Sequence, residues 1–172
     1  NVAVLVGDYL FAVSATFVCD TGNIRVIRRF SETIMELSSG ELQEISGAYN
    51  PDQTIDHYLE RIYNKTASLF TTSSESGALL SGASKDVVQA LRSYGYNLGM
   101  AFQIVDDILD LQGTQEEVGK PVGHDLSHGI LTLPAIIAME RYPKNNPIRD
   151  LFLQPEEEVF LERAVDMIQE SS

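Results

Sequence analysis

Apolar residues recur along this chain at three- and four-residue spacings almost throughout, which is the period of one face of an α-helix. Residues 1–19 carry apolar side chains on most faces and predict a buried helix, followed by a turn at Thr21-Gly22-Asn23. Between residues 24 and 47 the positions Ile24, Ile27, Ile34, Leu37 and Leu42 form a helical rather than an alternating set. Gly47 to Asp52 breaks it, with Asn50-Pro51 as the stop. A third helix is predicted from about Thr54 to Ser73 on Ile55, Leu59, Ile62 and Leu69, with residues 74–80 as a short continuation. After Ser81-Gly82-Ala83, Ser84 is a good N-cap, and Asp86 in the first turn favours the helix dipole. That helix reaches about Leu111. A loop with Gly113, Gly119, Pro121 and Gly123 follows, and helices near 133–142 and 156–169 complete the pattern. No alternating strand, repeat or low-complexity linker interrupts it, so the expected fold class is all-α.

One stretch breaks the rules of a core helix. FQIVDDILDL, Phe102 to Leu111, sets three aspartates in an apolar run. Asp is a poor residue for helix interiors, and like charges one turn apart repel. At 100° per residue, with Gln103 at the origin, Asp106 falls at about 300°, Asp107 at about 40° and Asp110 at about 340°. Met100, Phe102, Ile104, Val105, Ile108, Leu109 and Leu111 fill the remaining directions. Most of this helix is therefore expected to be buried, with a single acidic sector. Two carboxylates about 6 Å apart at an effective dielectric near 20 repel by roughly 3 kcal/mol. No Lys or Arg lies between Ser93 and Gly119 to relieve this. A bound cation would. Mg²⁺ prefers such hard oxygen ligands and takes one or two carboxylates together with waters and substrate phosphates. The DDxxD spacing suits a bridging metal–phosphate cluster better than a closed cage.

A metal–phosphate site also needs cations for the phosphate oxygens. Lys65-Thr66 sits inside the third predicted helix. Lys120 lies in the Gly-rich loop, ten residues after Asp110, where it is placed to fold over the site. Taken singly, each lysine reads as a surface residue, and Lys120 as a helix C-cap.

Charge and composition narrow the picture further. There are 25 acidic residues against 12 basic ones, for a net charge of −13. This argues against nucleic acid or an anionic membrane as the main partner. The single Cys19 excludes an internal disulfide framework and reads as a buried thiol in a reducing, cytoplasmic setting. Gly7-Asp8 interrupts the first apolar run, so no uninterrupted membrane-length segment is expected. The chain starts in mid-pattern at Asn1 and ends just after a helix-like run, so it is expected to be part of a longer protein. A di-iron carboxylate bundle would want Glu-x-x-His pairs, and His57, His124 and His128 offer none; they read as surface or loop residues.

FQIVDDILD, followed by GKPVGHDL and then TLP, resembles the second aspartate-rich region of the all-trans polyprenyl diphosphate synthases. KTASL resembles that family's Lys-Thr motif, SGELQE its GExxQ region, and NVAVLVGDYLFA the stretch after its first aspartate-rich motif. The matches occur in family order over about the first 140 residues and look closest to the medium- and long-chain enzymes. The resemblance implies an isoprenoid synthase fold, with helices around a central cavity, usually as a homodimer. It implies Mg²⁺-dependent condensation of an allylic diphosphate with isopentenyl diphosphate. Asp106 would be the main Mg²⁺ ligand, with Asp110 close by or acting through water, and Asp107 would support the cluster from behind. Lys65 and Lys120 would hold the allylic diphosphate. Thr66 and Gln103 would line the reacting end, and Asp125 would contact metal-bound water.

Residues 1–172 would then form a single all-α domain, the central to C-terminal part of a longer synthase domain, without the first aspartate-rich motif. Two further departures stand out. Ile130 replaces a frequent Lys, and Glu44 ends the GExxQ motif. A non-catalytic partner subunit that keeps the fold and regulates a true synthase is the competing expectation.

Overall fold

The computed structural model describes residues 1–112 and 122–171. Lys120, with most of the Gly-rich loop, lies outside the described residues. Among the described residues the chain is helical, with no strand: α1 (Val2–Asp20), α2 (Ile24–Gly47), α3 (Ile55–Ile62), a π-helical turn (Tyr63–Ala67), α4 (Ser68–Leu80), α5 (Lys85–Gln112), α6 (His124–Ser127), α7 (Leu133–Arg141), α8 (Pro147–Leu153) and α9 (Glu158–Glu170).

Local chemistry sets the helix starts. The Asn23 side chain accepts the Arg25 and Val26 N–H groups at the head of α2. Thr54 accepts the His57 N–H, and the His57 ring accepts the Thr54 N–H in return, closing both orphan donors at the start of α3. Asn146 caps α8 at Ile148. α6 and α8, of four and seven residues, were not anticipated because they are too short to carry a helical period. The expected third helix is divided by the π turn.

α5 is the centre of the molecule. α4 packs along it, and α2 lies against the π turn and α4. The core runs through Tyr58, Ile62, Met100, Leu111, Leu126, Leu131, Ile136, Ile148, Leu151, Ala164 and Ile168. Away from that core, buried Arg29 pairs with Glu36 (2.6 Å) and donates to Thr72 (3.0 Å), tying α2 to α4.

Two expectations about burial are corrected. α1 is not a buried helix: none of its residues is buried, and Leu5 is 67% exposed. Only one flank meets α2, where Phe11 stacks on Phe30 at 5.9 Å. Cys19, at its end, is exposed. α1 is also long and apolar enough to cross a membrane, with mean hydropathy 2.0, despite Gly7-Asp8. Length and composition alone do not separate a span from a helix that packs on protein. The second correction concerns α5. Phe102, Val105 and Leu109, at about 200–260° on its wheel, are about half exposed. The buried stripe is Met100, Asp107 and Leu111, so the acidic sector sits at the edge between buried and open faces.

Candidate active site

Lys65 and Thr66 occupy the π turn, where a helix takes an extra residue per turn and re-aims its side chains. Two glycines hold that turn from either side. A methyl at Gly40 of α2 would stand 2.8 Å from the Lys65 nitrogen, and one at Gly99 of α5 would stand 2.5 Å from Ala67 Cα. Only hydrogen fits in either place, and the close backbone approach delivers the turn to the cavity.

That cavity, of about 200 Å³, is walled by Glu44, Lys65, Gln103, Asp106, Asp107 and Asp125, with Arg61, Ile62, Ile130 and Thr132 completing it. The structure thus brings together most of the residues the sequence singled out, and the three aspartates separate into three situations. Asp106 is exposed, and among the described residues its side chain has only a marginal 3.4 Å hydrogen bond from the Gln103 amide nitrogen. Asp107 is 4% exposed and fully engaged: Tyr58 donates its hydroxyl to Oδ2 (2.6 Å) and Gln103 Nε2 donates to Oδ1 (2.9 Å). Asp110 lies a turn farther on, where its carboxylate accepts the Asp125 N–H (3.2 Å) and its carbonyl accepts the Gly123 N–H (2.9 Å), fastening α6 to α5. Thr66 joins the network by donating its hydroxyl to Gln103 Oε1 (2.6 Å).

Burial pushes the Asp107 carboxyl up to about 6, against the pull of the hydrogen bonds from Tyr58 and Gln103. Burial, and then the Asp125 charge, also raise Asp110. The Tyr58 phenol is raised in turn by burial and by its bond to Asp107. Lys65 meets carboxylates of its own chain: Nζ lies 2.5 Å from Glu44 and 3.9 Å from Glu41, both on α2.

Among the described residues no group of three or more His, Cys, Asp or Glu side chains converges to hold a metal unaided. The donor set still fits a hard cation that keeps waters and phosphate oxygens in its shell, because such an ion needs only one or two carboxylates and Asp106 is exposed at the cavity wall.

Sequence reasoning missed Tyr58 and Arg61. Tyr58 is 0% exposed, and Arg61, also buried, donates to the Leu131 carbonyl (2.6 Å) and Gln53 (2.9 Å). The available signal was spacing: Tyr58 stands seven residues before Lys65, two turns along one face, but a tyrosine among apolar residues reads as core.

The family model for polyprenyl synthetases matches residues 1–168. The chain is 42% identical over 171 residues to the chloroplastic solanesyl-diphosphate synthase 2 of Oryza sativa subsp. japonica, covering 99% of this chain and 42% of that protein. It is 44% identical over 137 residues to heptaprenyl diphosphate synthase component 2 of Geobacillus stearothermophilus, covering 80% and 43%. Among solved structures, heptaprenyl diphosphate synthase from Staphylococcus aureus superimposes with a TM-score of 0.89 at 36% identity, covering 98% of this chain and 53% of that one. The polyprenyl synthase from Caulobacter crescentus CB15, complexed with calcium and isoprenyl diphosphate, gives 0.88 at 34% identity, covering 98% and 52%. The chain spans about two fifths of the length of these curated relatives and about half of these solved chains. With an all-α isoprenoid synthase fold, a family match over nearly every residue and relatives named for medium and long products, the chain belongs to the polyprenyl synthetase family.

Proposed function

We propose that this chain is the part of an all-trans polyprenyl diphosphate synthase that grips an allylic diphosphate through Mg²⁺ and lysine, for condensation with isopentenyl diphosphate. The observation that carries the reading is the single cavity onto which Lys65, Gln103, Asp106 and Asp125 all face. Asp106 would hold the metal, assisted by Asp110, and Asp125 would bond its waters. Bound there, Mg²⁺ would neutralise charge on the departing diphosphate. The calcium and isoprenyl diphosphate in the Caulobacter crescentus structure support a divalent cation beside a prenyl diphosphate.

The chain's own groups do the rest. Lys65 exchanges Glu44 for a phosphate oxygen, and Lys120 adds a second cation. The allylic C–O bond breaks and its electron pair leaves with the diphosphate. The double bond of isopentenyl diphosphate attacks the cation, and a proton is lost from the adduct. Thr66 sets its oxygen toward the positive charge, and Gln103 supports it by accepting the Thr66 hydroxyl. Assembly as a homodimer is part of the proposal.

A second reading, a non-catalytic or regulatory subunit, draws on the relative named as component 2 of a heptaprenyl synthase and on Glu44, which already occupies Lys65. Incorporation of radiolabelled isopentenyl diphosphate decides between them, measured on residues 1–172 alone and on a protein that also supplies the half carrying the first aspartate-rich motif. Elongation that needs both halves is expected. Robust elongation by 1–172 alone would overturn a mechanism with two metal clusters. Inactivity of the complete protein would favour the partner subunit.

A further inference from the structure

With Asp107 ionised, Tyr58, Asp107, Gln103 and Thr66 form a chain of hydrogen bonds with one consistent direction. An ionised carboxylate accepts and does not donate. Asp107 therefore takes the Tyr58 hydroxyl at 2.6 Å and the Gln103 NH₂ at 2.9 Å. With its nitrogen committed to Asp107, Gln103 presents its carbonyl oxygen to Thr66. The flipped amide would set that oxygen against the carboxylate. The Thr66 hydroxyl must then donate, at 2.6 Å, and its lone pairs are left as the outward polarity of the chain. Tyr58 anchors the far end: its side chain is wholly buried, and the Arg61 guanidinium lies 5.7 Å from its ring centroid, itself tied to the Leu131 carbonyl.

We infer that Tyr58 is a positioning residue: acting through Asp107 and Gln103, it fixes the Thr66 hydroxyl as a donor to protein, so that Thr66 offers only its oxygen lone pairs to a cationic substrate. The inference rests on the prenyl-transfer reading for its consequence in catalysis, and on geometry alone for the direction of the chain. Tyr58 touches no reacting atom. It acts by holding the Asp107 carboxylate in the plane that orients the Gln103 amide.

The test is a kinetic cycle in the complete enzyme joined to an NMR measurement on residues 1–172. Tyr58→Phe is expected to lower kcat about tenfold, with both KM values within about twofold. In a Thr66→Val background the same change should cost less than about twofold, because the effect passes through Thr66. Multiplying losses in the double variant would overturn the inference, since a merely structural role adds independently. In the ¹⁵N-labelled chain, Tyr58→Phe should move the Gln103 side-chain amide signals toward those of free glutamine, whereas Thr66→Val should leave them in place. Unchanged signals in Tyr58→Phe would overturn it. Should Tyr58→Phe fail to fold, the Thr66→Val spectrum decides: collapse of the Gln103 signals there would show that Thr66, not the Tyr58–Asp107 side, orients the amide. A complete enzyme without prenyl transfer would sink the proposed function, while the NMR arm would still decide the direction of the chain.

Discussion

α1 and α5 are the two helices whose sequences look most like core, and the structure treats them in opposite ways. α1 has no buried residue, and its Asp8 stands exposed. α5 passes through the centre of the molecule, and its Asp107 is buried with both oxygens satisfied. An apolar stripe shows that a helix face is to be covered, while the identity of the cover depends on distant parts of the chain. An acidic residue in such a stripe is tolerated where donors converge on it. Asp107 has Tyr58 and Gln103; Asp8 has open solvent.

Substitutions on the two helices should separate these cases. The largest effect is expected at the open edge of the α5 acidic sector. In the complete enzyme, Asp106→Ala should lower kcat by about a hundredfold to a thousandfold, the range for losing one preorganised electrostatic contact. Its exposed side chain means that calorimetry should show an unchanged melting temperature. Next comes packing. Leu111, 3% exposed, should cost about 2–5 kcal/mol on truncation to Ala, whereas Leu5→Ala in α1 should stay within about 0.5 kcal/mol, both read by urea unfolding of residues 1–172. A large loss at Leu5 would mean that α1 is covered in solution and would erase the contrast.

Asp107→Ala should destabilise by about 2–3 kcal/mol, because it strands the buried Tyr58 hydroxyl and a Gln103 amide hydrogen. The same truncation at Asp8 should leave stability unchanged. Equal kcat losses at Asp106 and Asp107 would contradict the proposed division into ligand and support. Smaller still, Mg²⁺ titrated calorimetrically into residues 1–172 should bind about tenfold or more tightly with pyrophosphate present, since the carboxylates alone do not complete its shell. The smallest shift is expected from Glu44→Gln, which frees Lys65 from its 2.5 Å partner and should tighten pyrophosphate binding a few-fold. Weaker binding in that variant would make Glu44 a helper rather than a competitor of the anion.

The sequence by itself determined the helical class and most helix positions, and it singled out most of the polar residues that wall the cavity. Helical spacing is a local property, and a carboxylate cluster with lysines in family order marks candidate residues by type alone, five of which wall one cavity. It also placed Asp106 and Asp107 on opposite edges of one sector, which is where they are. What it left open was which edge faces the core. That depended on α3 and the π turn packing against one flank of α5, between Gly40 and Gly99, an approach set by residues far apart in the chain. The same tertiary contacts turned Tyr58 from an apparent core residue into the anchor of the Asp107 network, and set Glu44 against Lys65. They also left α1 exposed, because an apolar pattern measures the drive to be covered and only packing shows whether a cover is present.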